Sequence, residues 1–194
     1  MTPFLTALLT SGGVVALAEM GDKTQLLAIV LATRFRRPWV VIAGIFAATI
    51  ANHALAAWAG SELAAWFDGP AFRYAVAASF IAMAAWTLIP DKLDDLDNRQ
   101  PRYGAFLTTL VAFFIVEIGD KTQVATIALG ARFHDVLPVT LGTTLGMMAA
   151  NVPAVFLGSK LVERVPLRIV HVAAALLFLG LGLWLLAQTA GWLA

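Results

Sequence analysis

The sequence has no cysteine, which excludes disulfides, thiolate metal sites and thiol nucleophiles. It is also poor in charge, because charged residues make up 13% of its 194 residues, where about a quarter is typical of soluble domains. The stretch "MTPFLTALLT" lacks the basic residues of a signal peptide, so no cleavable signal is expected. The lysines and arginines fall in short loops and form no stripe, so binding to nucleic acid is not expected either.

The rest of the chain is apolar, with 60% hydrophobic residues and a mean hydropathy of +0.83. A helix that crosses a bilayer needs about 20 mainly apolar residues. We therefore predict an all-α integral membrane protein with six transmembrane helices, at about 4–33, 39–64, 71–90, 104–131, 138–160 and 168–189. The first and fourth segments are longer than a bilayer requires, so we expect a tilt or a break near Gly21 and Gly119.

The basic residues between the segments predict the orientation of the chain. Nine lysines and arginines fall on one side of the six segments and two on the other, and the basic side normally faces the cytoplasm. Both termini should therefore be extracytoplasmic, with the acidic linker 91–102 in the cytoplasm. This linker lacks the glycine and glutamate of a calcium-binding EF-hand loop, so we interpret it as a solvated connection. The nine are Arg34, Arg36, Arg37, Lys92, Arg99, Arg102, Lys160, Arg164 and Arg168, and the two are Arg73 and Arg132.

One polar motif occurs twice in the chain. The stretches "EMGDKTQ" at 19–25 and "EIGDKTQ" at 117–123 both interrupt apolar segments, and an offset of 98 relates them. The offset divides the chain into a three-helix repeat at 1–90, the linker at 91–102 and a second three-helix repeat at 103–194. Because each repeat crosses the membrane an odd number of times, the second should be inverted. Many secondary transporters with inverted repeats bind their substrate near the midplane, where the repeats meet.

If each motif copy is part of one continuous helix, its charged and amide side chains share a broad polar face. Gly21 then points to the opposite side, where a neighbouring helix can approach closely. Thr24 and Thr122 point away from the acids, and we expect them to bond to backbone carbonyls. The predicted polar faces consist of Glu19, Asp22, Lys23 and Gln25 in the first copy and of Glu117, Asp120, Lys121 and Gln123 in the second.

The charges of the two copies predict what they bind. Four carboxylates and two lysines sum to −2, and an acidic residue at the centre of a membrane helix costs about 2.5–3.5 kcal/mol. A divalent cation would offset this cost, and carboxylate and amide oxygens suit Mg²⁺, Ca²⁺ or Mn²⁺. Protons would replace the departing metal on the carboxylates, which is the physical basis of cation/proton exchange. The expected metal ligands are Glu19, Asp22, Glu117, Asp120, Gln25 and Gln123, with proton coupling at the four acids.

Four more polar residues are accessory candidates: Lys23, Lys121, Asn52 and Asn151. The lysines would act as internal counter-ions when the metal is absent. The asparagines would either add amide oxygens to the site or bond across helices. We interpret His53 as a packing or hydrogen-bonding residue, because one imidazole adds little among hard oxygen donors.

Three other interpretations stay open on these residues alone. Glu19 and Lys23 are four residues apart and could form a purely structural ion pair. Paired carboxylates could serve an intramembrane hydrolase as acid and base. A similar scaffold could also export amino acids or other small organic solutes, although such a site should offer apolar walls as well as charges.

The doubled E-x-G-D-K-T-Q motif within six spans resembles the family of small cation/proton exchangers that includes bacterial manganese exporters and the Golgi manganese/calcium transporters. The resemblance covers nearly the whole chain. It implies a transporter of a bacterial inner membrane, not an enzyme, that exports Mn²⁺, or also Ca²⁺, as protons flow inward. No cofactor is implied; the partners are the metal ion as substrate, protons and the lipid bilayer, and a homo-oligomer stays open. The family's acidic motif residues correspond to Glu19, Asp22, Glu117 and Asp120.

Overall fold

The computed structural model describes residues 2–67, 69–89, 103–158 and 166–193, and the regular elements in these ranges are all α-helices. The acidic linker 91–102 lies outside the described residues, so its solvated and cytoplasmic character stays a prediction. In chain order the described helices are α1 Pro3–Glu19, α2 Lys23–Phe35, α3 Pro38–Trp66, α4 Pro70–Thr87, α5 Ala105–Glu117, α6 Lys121–Phe133, α7 Val136–Leu157 and α8 Leu167–Thr189.

Prolines begin three of these helices, because a residue without an N–H and with a fixed φ suits the first helical position. Pro3 begins α1 directly after Thr2, whose hydroxyl accepts the N–H of Leu5 at 3.4 Å. Pro38 begins α3 and Pro70 begins α4. The first three predicted segments therefore begin within one residue of an observed helix.

Three helices are long and apolar enough to cross a membrane: α3, α7 and α8. The bent pair of α1 and α2 makes a fourth if it is counted as one span. The prediction of an all-helical membrane protein is thus confirmed. The count of six spans and the inversion of the second repeat stay predictions, since α5, for example, is apolar but has only 13 residues.

The backbone breaks inside the first motif copy. Helix α1 ends at Glu19, α2 begins at Lys23, and their axes differ in direction by 72°. Gly21 lies in the break with φ +84°, and Gly119 lies between α5 and α6 with φ +77°, a region that favours glycine. The expected break near these glycines is confirmed. The prediction of one continuous polar helix face is wrong, because the four motif side chains are divided between the end of one helix and the start of the next.

Glycines allow two helix pairs to cross at backbone contact. In the crossing of α1 with α7, a Cβ on Gly146 would meet the carbonyl oxygen of Gly12, and one on Gly142 that of Leu8. In the crossing of α3 with α6, a Cβ on Gly60 would collide with the carbonyl oxygen of Ile127. Small residues permit such close approach in membrane proteins. These crossings bring the helices of the first repeat against those that carry the second motif copy and its neighbours.

Candidate cation site

The same backbone geometry places the acids of both copies. Glu19 is the last residue of α1 and Glu117 is the last residue of α5. Asp22 caps the N-terminus of α2 with φ −77° and ψ 164°, and Asp120 caps that of α6 with φ −76° and ψ 164°. A carboxylate at this position is favoured by the free N–H groups and the dipole of the helix that follows. Each copy therefore presents one acid from a helix end and one from a helix start.

All four carboxylates are buried in the protein. Glu19 interacts electrostatically with Glu117, Asp22 and Asp120, so the structure brings the acids of both copies into one cluster. Four like charges in a buried place repel one another strongly unless cations or protons compensate them. The cluster is therefore stable only with compensating positive charge, which a cation, a lysine or protons can supply.

The threonine of each copy bonds to both acids of that copy. The Thr24 hydroxyl donates to Glu19 Oε1 and lies 3.5 Å from Asp22 Oδ2. The Thr122 hydroxyl lies 3.0 Å from Glu117 Oε2 and 3.4 Å from Asp120 Oδ2. The prediction that these threonines point away from the acids is wrong, because it assumed an unbroken helix. The recurrence of threonine two residues after the aspartate was the signal in the sequence.

The two glutamines hold the helix breaks. The N–H of Gly21 donates to Gln25 Oε1 at 3.0 Å, and the N–H of Gly119 donates to Gln123 Oε1 at 2.7 Å. Both amide oxygens expected as metal ligands thus accept backbone bonds. The amide nitrogens reach other helices, because Gln25 Nε2 donates to the carbonyl of Ala150 at 3.0 Å and Gln123 Nε2 to Asn52 Oδ1 at 3.3 Å.

The two lysines have different partners. Lys23 Nζ forms a salt bridge of 2.7 Å with Asp120 Oδ1, and so it links the first motif copy to the second. Lys121 Nζ donates to the carbonyl oxygen of Ile89 at 3.0 Å, in the turn that follows α4. Lys23 is 32% exposed, whereas Lys121 is 5% exposed. Lys23 is therefore a counter-ion of the acids in this structure.

The two asparagines contact different groups. Asn151 Nδ2 donates to Glu19 Oε1 at 3.0 Å and to the carbonyl of Met147 at 3.1 Å, so it belongs to the carboxylate cluster. Asn52 Nδ2 donates to the carbonyl of Phe114 at 3.0 Å and reaches the motif through Gln123. Neighbouring His53 is fully buried.

Several buried oxygens of the cluster have no hydrogen-bond partner among the described residues: Glu19 Oε2, Glu117 Oε1 and Asn151 Oδ1. All three are acceptors, and hard divalent cations bind such oxygens. Within the described ranges, no three acidic or histidine side chains already stand in an arrangement that holds a metal ion.

Comparison with known proteins identifies the family. The sequence model of the divalent cation/proton antiporter GDT1 matches residues 7–95 and 105–192. The chain belongs to the GDT1 family. These two stretches correspond under the offset of 98 to within one residue. No solved structure matches the chain.

Individual relatives agree with this membership of the GDT1 family. A Vibrio cholerae protein named "Putative manganese exporter" is 51% identical over 166 residues, which cover 85% of this chain and 82% of that protein. GDT1-like protein 5 of Arabidopsis thaliana is 30% identical over 207 residues, covering 86% of this chain and 89% of the relative. A GDT1-like protein of Synechocystis is 27% identical over 202 residues, covering 92% and 93%.

Membership of the GDT1 family decides between the interpretations that the residues left open. The protein is a membrane transporter of divalent cations and not an enzyme, so the hydrolase interpretation is excluded. The export of organic solutes is set aside for the same reason. Metal ions are substrates of this GDT1 protein and not resident cofactors.

Proposed function

We propose that this protein exports Mn²⁺ from the cytoplasm in exchange for protons, and that one cluster of four carboxylates binds both. The carboxylates would be those of Glu19, Asp22, Glu117 and Asp120. The observation that carries the proposal is the meeting of both motif copies in one buried cluster, with acceptor oxygens that lack a partner among the described residues. The name of the Vibrio cholerae relative supports manganese as the cargo.

Exchange follows when metal and protons compete for the same oxygens. In the structure, the Lys23 ammonium group forms a 2.7 Å salt bridge with Asp120. A divalent cation that enters the cluster would neutralise two carboxylate charges and displace this ammonium group from Asp120. Protons that arrive from the other side neutralise the carboxylates and release the metal. The cluster cannot change sides empty without leaving buried charge uncompensated, and this cost couples the two fluxes.

The threonines and Asn151 keep the acids oriented during this exchange. Each threonine hydroxyl bridges the glutamate and the aspartate of its own copy. Asn151 donates to Glu19 through Nδ2, while its Oδ1 has no partner among the described residues and can serve as an amide oxygen ligand. Groups that hold metal ligands in place commonly change metal affinity about 10–100-fold when they are removed.

We further propose six spans in two inverted repeats, 1–90 and 103–194, in a bacterial inner membrane with both termini extracytoplasmic. The bounds of α2 and α6 support this, because they differ by 98 at both ends. The excess of basic residues on one side supports the orientation. In such a plan, rocking of one repeat against the other exposes the cluster alternately to the two sides.

Transport by the purified full chain in proteoliposomes tests the proposal. Vesicles with an acidic lumen contain a metal-quenched dye or a pH dye, and Mn²⁺, Ca²⁺ or Mg²⁺ is added outside. We expect Mn²⁺ to enter while the lumen becomes alkaline, and both signals to decline when an ionophore collapses the pH gradient beforehand. Antiport is reversible, so the direction of insertion does not affect this result.

Two outcomes of this experiment would contradict the proposal. Mn²⁺ entry without lumenal alkalinisation would show transport that is not coupled to protons. Faster entry of Ca²⁺ than of Mn²⁺ at equal concentrations would show that manganese is not the preferred cargo. Protein-free vesicles of the same lipid composition give the background for both signals.

A further inference from the structure

One fully buried histidine on α3 has no hydrogen-bond partner among the described residues. The His53 side chain is 0% exposed, and neither ring nitrogen has a hydrogen-bond partner among the described residues. A buried imidazole without partners is costly, because its nitrogens lose their bonds to water and gain nothing. The sequence-based interpretation of His53 as a packing or hydrogen-bonding residue therefore agrees with the structure in the packing of the side chain and not in any hydrogen bond.

The offset of 98 gives His53 a counterpart with a clear role. His53 in the first repeat is equivalent in sequence to Asn151 in the second, and the Asn151 side chain donates directly to Glu19 at 3.0 Å. In the same way, Glu19 is equivalent in sequence to Glu117. Asn151 is the partner of Glu19, so by the repeat the corresponding position for Glu117 is occupied by His53.

The residue next to His53 on α3 contacts the second half of the site. The adjacent Asn52 donates to the carbonyl of Phe114, one helical turn before Glu117, and accepts from Gln123 of the second motif copy. The α3 segment around His53 therefore lies against the end of α5. Each glutamate has one buried oxygen without a partner among the described residues, but the other oxygen of Glu19 accepts from both Thr24 and Asn151, whereas that of Glu117 accepts from Thr122 alone.

We propose that His53 supplies a nitrogen ligand to the transported ion on the Glu117 side of the cluster and so favours transition-metal ions over Ca²⁺ and Mg²⁺. This inference rests on the proposed function. An imidazole binds divalent transition metals with an affinity that rises from Mn²⁺ to Co²⁺, whereas Ca²⁺ and Mg²⁺ prefer oxygen. Asn151 offers its amide oxygen to either class. The two halves of the site thus differ in chemistry at one equivalent position.

The ligand forms its bond only when α3 and α5 close around the ion. In the described residues, His53 and the acids do not yet stand in a metal-holding arrangement. Closure that brings His53 to the ion also brings Glu117 Oε1 to it, so two unpartnered buried groups gain a common partner.

Metal binding to the purified protein tests this inference without transport. Mn²⁺ binding is followed by the loss of the free-ion electron paramagnetic resonance signal, Ca²⁺ binding by calorimetry and Co²⁺ binding by its visible absorption. The variant is His53→Asn, which installs the residue of the equivalent position. His134→Asn is the matched control, because His134 is exposed and its left-handed backbone, φ 54°, suits asparagine.

We expect His53→Asn to weaken Mn²⁺ binding about tenfold and Co²⁺ binding by more, with Ca²⁺ binding unchanged. The Co²⁺ spectrum should lose its imidazole contribution, and His134→Asn should match the wild type. Equal weakening for all three ions, or no weakening in a folded variant, would overturn the inference. His53→Gln serves as the second variant if thermal unfolding shows that His53→Asn is not folded. Failure of the wild type to bind any divalent ion would overturn the proposed function, and this inference with it.

Discussion

The two motif copies have nearly the same sequence and the same backbone, but their surroundings differ. The break in the first copy is covered by α8: a Cβ on Gly21 would lie 2.7 Å from a methyl of Leu167, and His171 Nε2 lies 3.1 Å from the carbonyl oxygen of Met20. In the second copy, Ile118 is 60% exposed, and a Cβ on Gly119 would meet nothing within 4 Å among the described residues. Among the described residues, the break in the first copy is therefore the better covered of the two.

The comparison separates what the motif determines from what its environment determines. The motif determines the helix break, the bond from the threonine to the glutamate and the bond from the glycine N–H to the glutamine, which are alike in both copies. The environment determines the lysine partners and the cover over each break. In a transporter built from two equivalent repeats, the two repeats are expected to have different surroundings whenever the binding site is open to one side of the membrane only. The difference between the copies agrees with the alternating access that we propose.

The largest expected effect comes from neutralising one acid in either copy. Glu19→Gln, Asp22→Asn, Glu117→Gln and Asp120→Asn each remove a charge from the cluster while keeping the shape of the side chain. We expect proton-driven Mn²⁺ transport in proteoliposomes to fall to the level of protein-free vesicles for each variant, because the cluster binds as a unit.

Glu62→Gln is the matched control for these variants, since Glu62 is an exposed acid on α3. Size-exclusion chromatography and thermal unfolding establish that each variant is folded. Wild-type transport by variants of one copy, with loss confined to the other copy, would show that the two copies do not form a shared site.

Removing a threonine hydroxyl should have a smaller effect that differs between the copies. Thr122→Val removes the only hydrogen-bond donor to Glu117 among the described residues, whereas after Thr24→Val the carboxylate of Glu19 still accepts from Asn151. We expect Mn²⁺ affinity to fall about tenfold in Thr122→Val and by less in Thr24→Val. Binding is measured by electron paramagnetic resonance of free Mn²⁺.

Two further variants make the threonine experiment decisive. Thr122→Ser should restore the affinity, because it keeps the hydroxyl. Thr126→Val should leave the affinity unchanged, since the Thr126 hydroxyl donates to a backbone carbonyl, that of Thr122. A larger effect of Thr24→Val than of Thr122→Val would reverse the proposed difference between the copies.

The sequence predicted the membrane class and the position of the helix breaks, because these follow from composition and from the repeat. Gly21 and Gly119 marked the breaks because glycine readily takes positive φ. The directions of side chains around the break could not be predicted by a helical wheel. Thr24 therefore turned out to contact Glu19, which it could not reach on a straight helix.

The partners of the lysines could not be predicted either, because they depend on how the halves pack and not on the motif. Lys23 is four residues from Glu19, so the sequence favoured a local ion pair, whereas the salt bridge in the structure joins Lys23 to Asp120. The amino-acid sequences of the two motif copies are too similar to reveal such a difference.

The helix crossings offer a test of packing that is independent of transport. Gly60→Ala should destabilise the protein by about 1–3 kcal/mol, because its Cβ would collide with the carbonyl of Ile127 at the crossing of α3 and α6. Gly180→Ala on α8 is the control, since a Cβ there would meet nothing within 4 Å. Thermal unfolding in detergent measures both. An unchanged unfolding temperature for Gly60→Ala would show that the two helices cross less closely than the structure has them.

The smallest expected effect concerns the salt bridge between the copies. In a double-mutant cycle of Lys23→Met and Asp120→Asn, measured by thermal unfolding with a metal chelator present, we expect a coupling energy of about 1 kcal/mol. The cycle of Arg37→Met with Asp120→Asn is the control and should be additive, because Arg37 is an exposed residue between α2 and α3. Zero coupling between Lys23 and Asp120 would mean that the lysine does not compensate the metal-free cluster. Addition of Mn²⁺ should abolish the coupling, because the metal and the ammonium group compete for the same carboxylate.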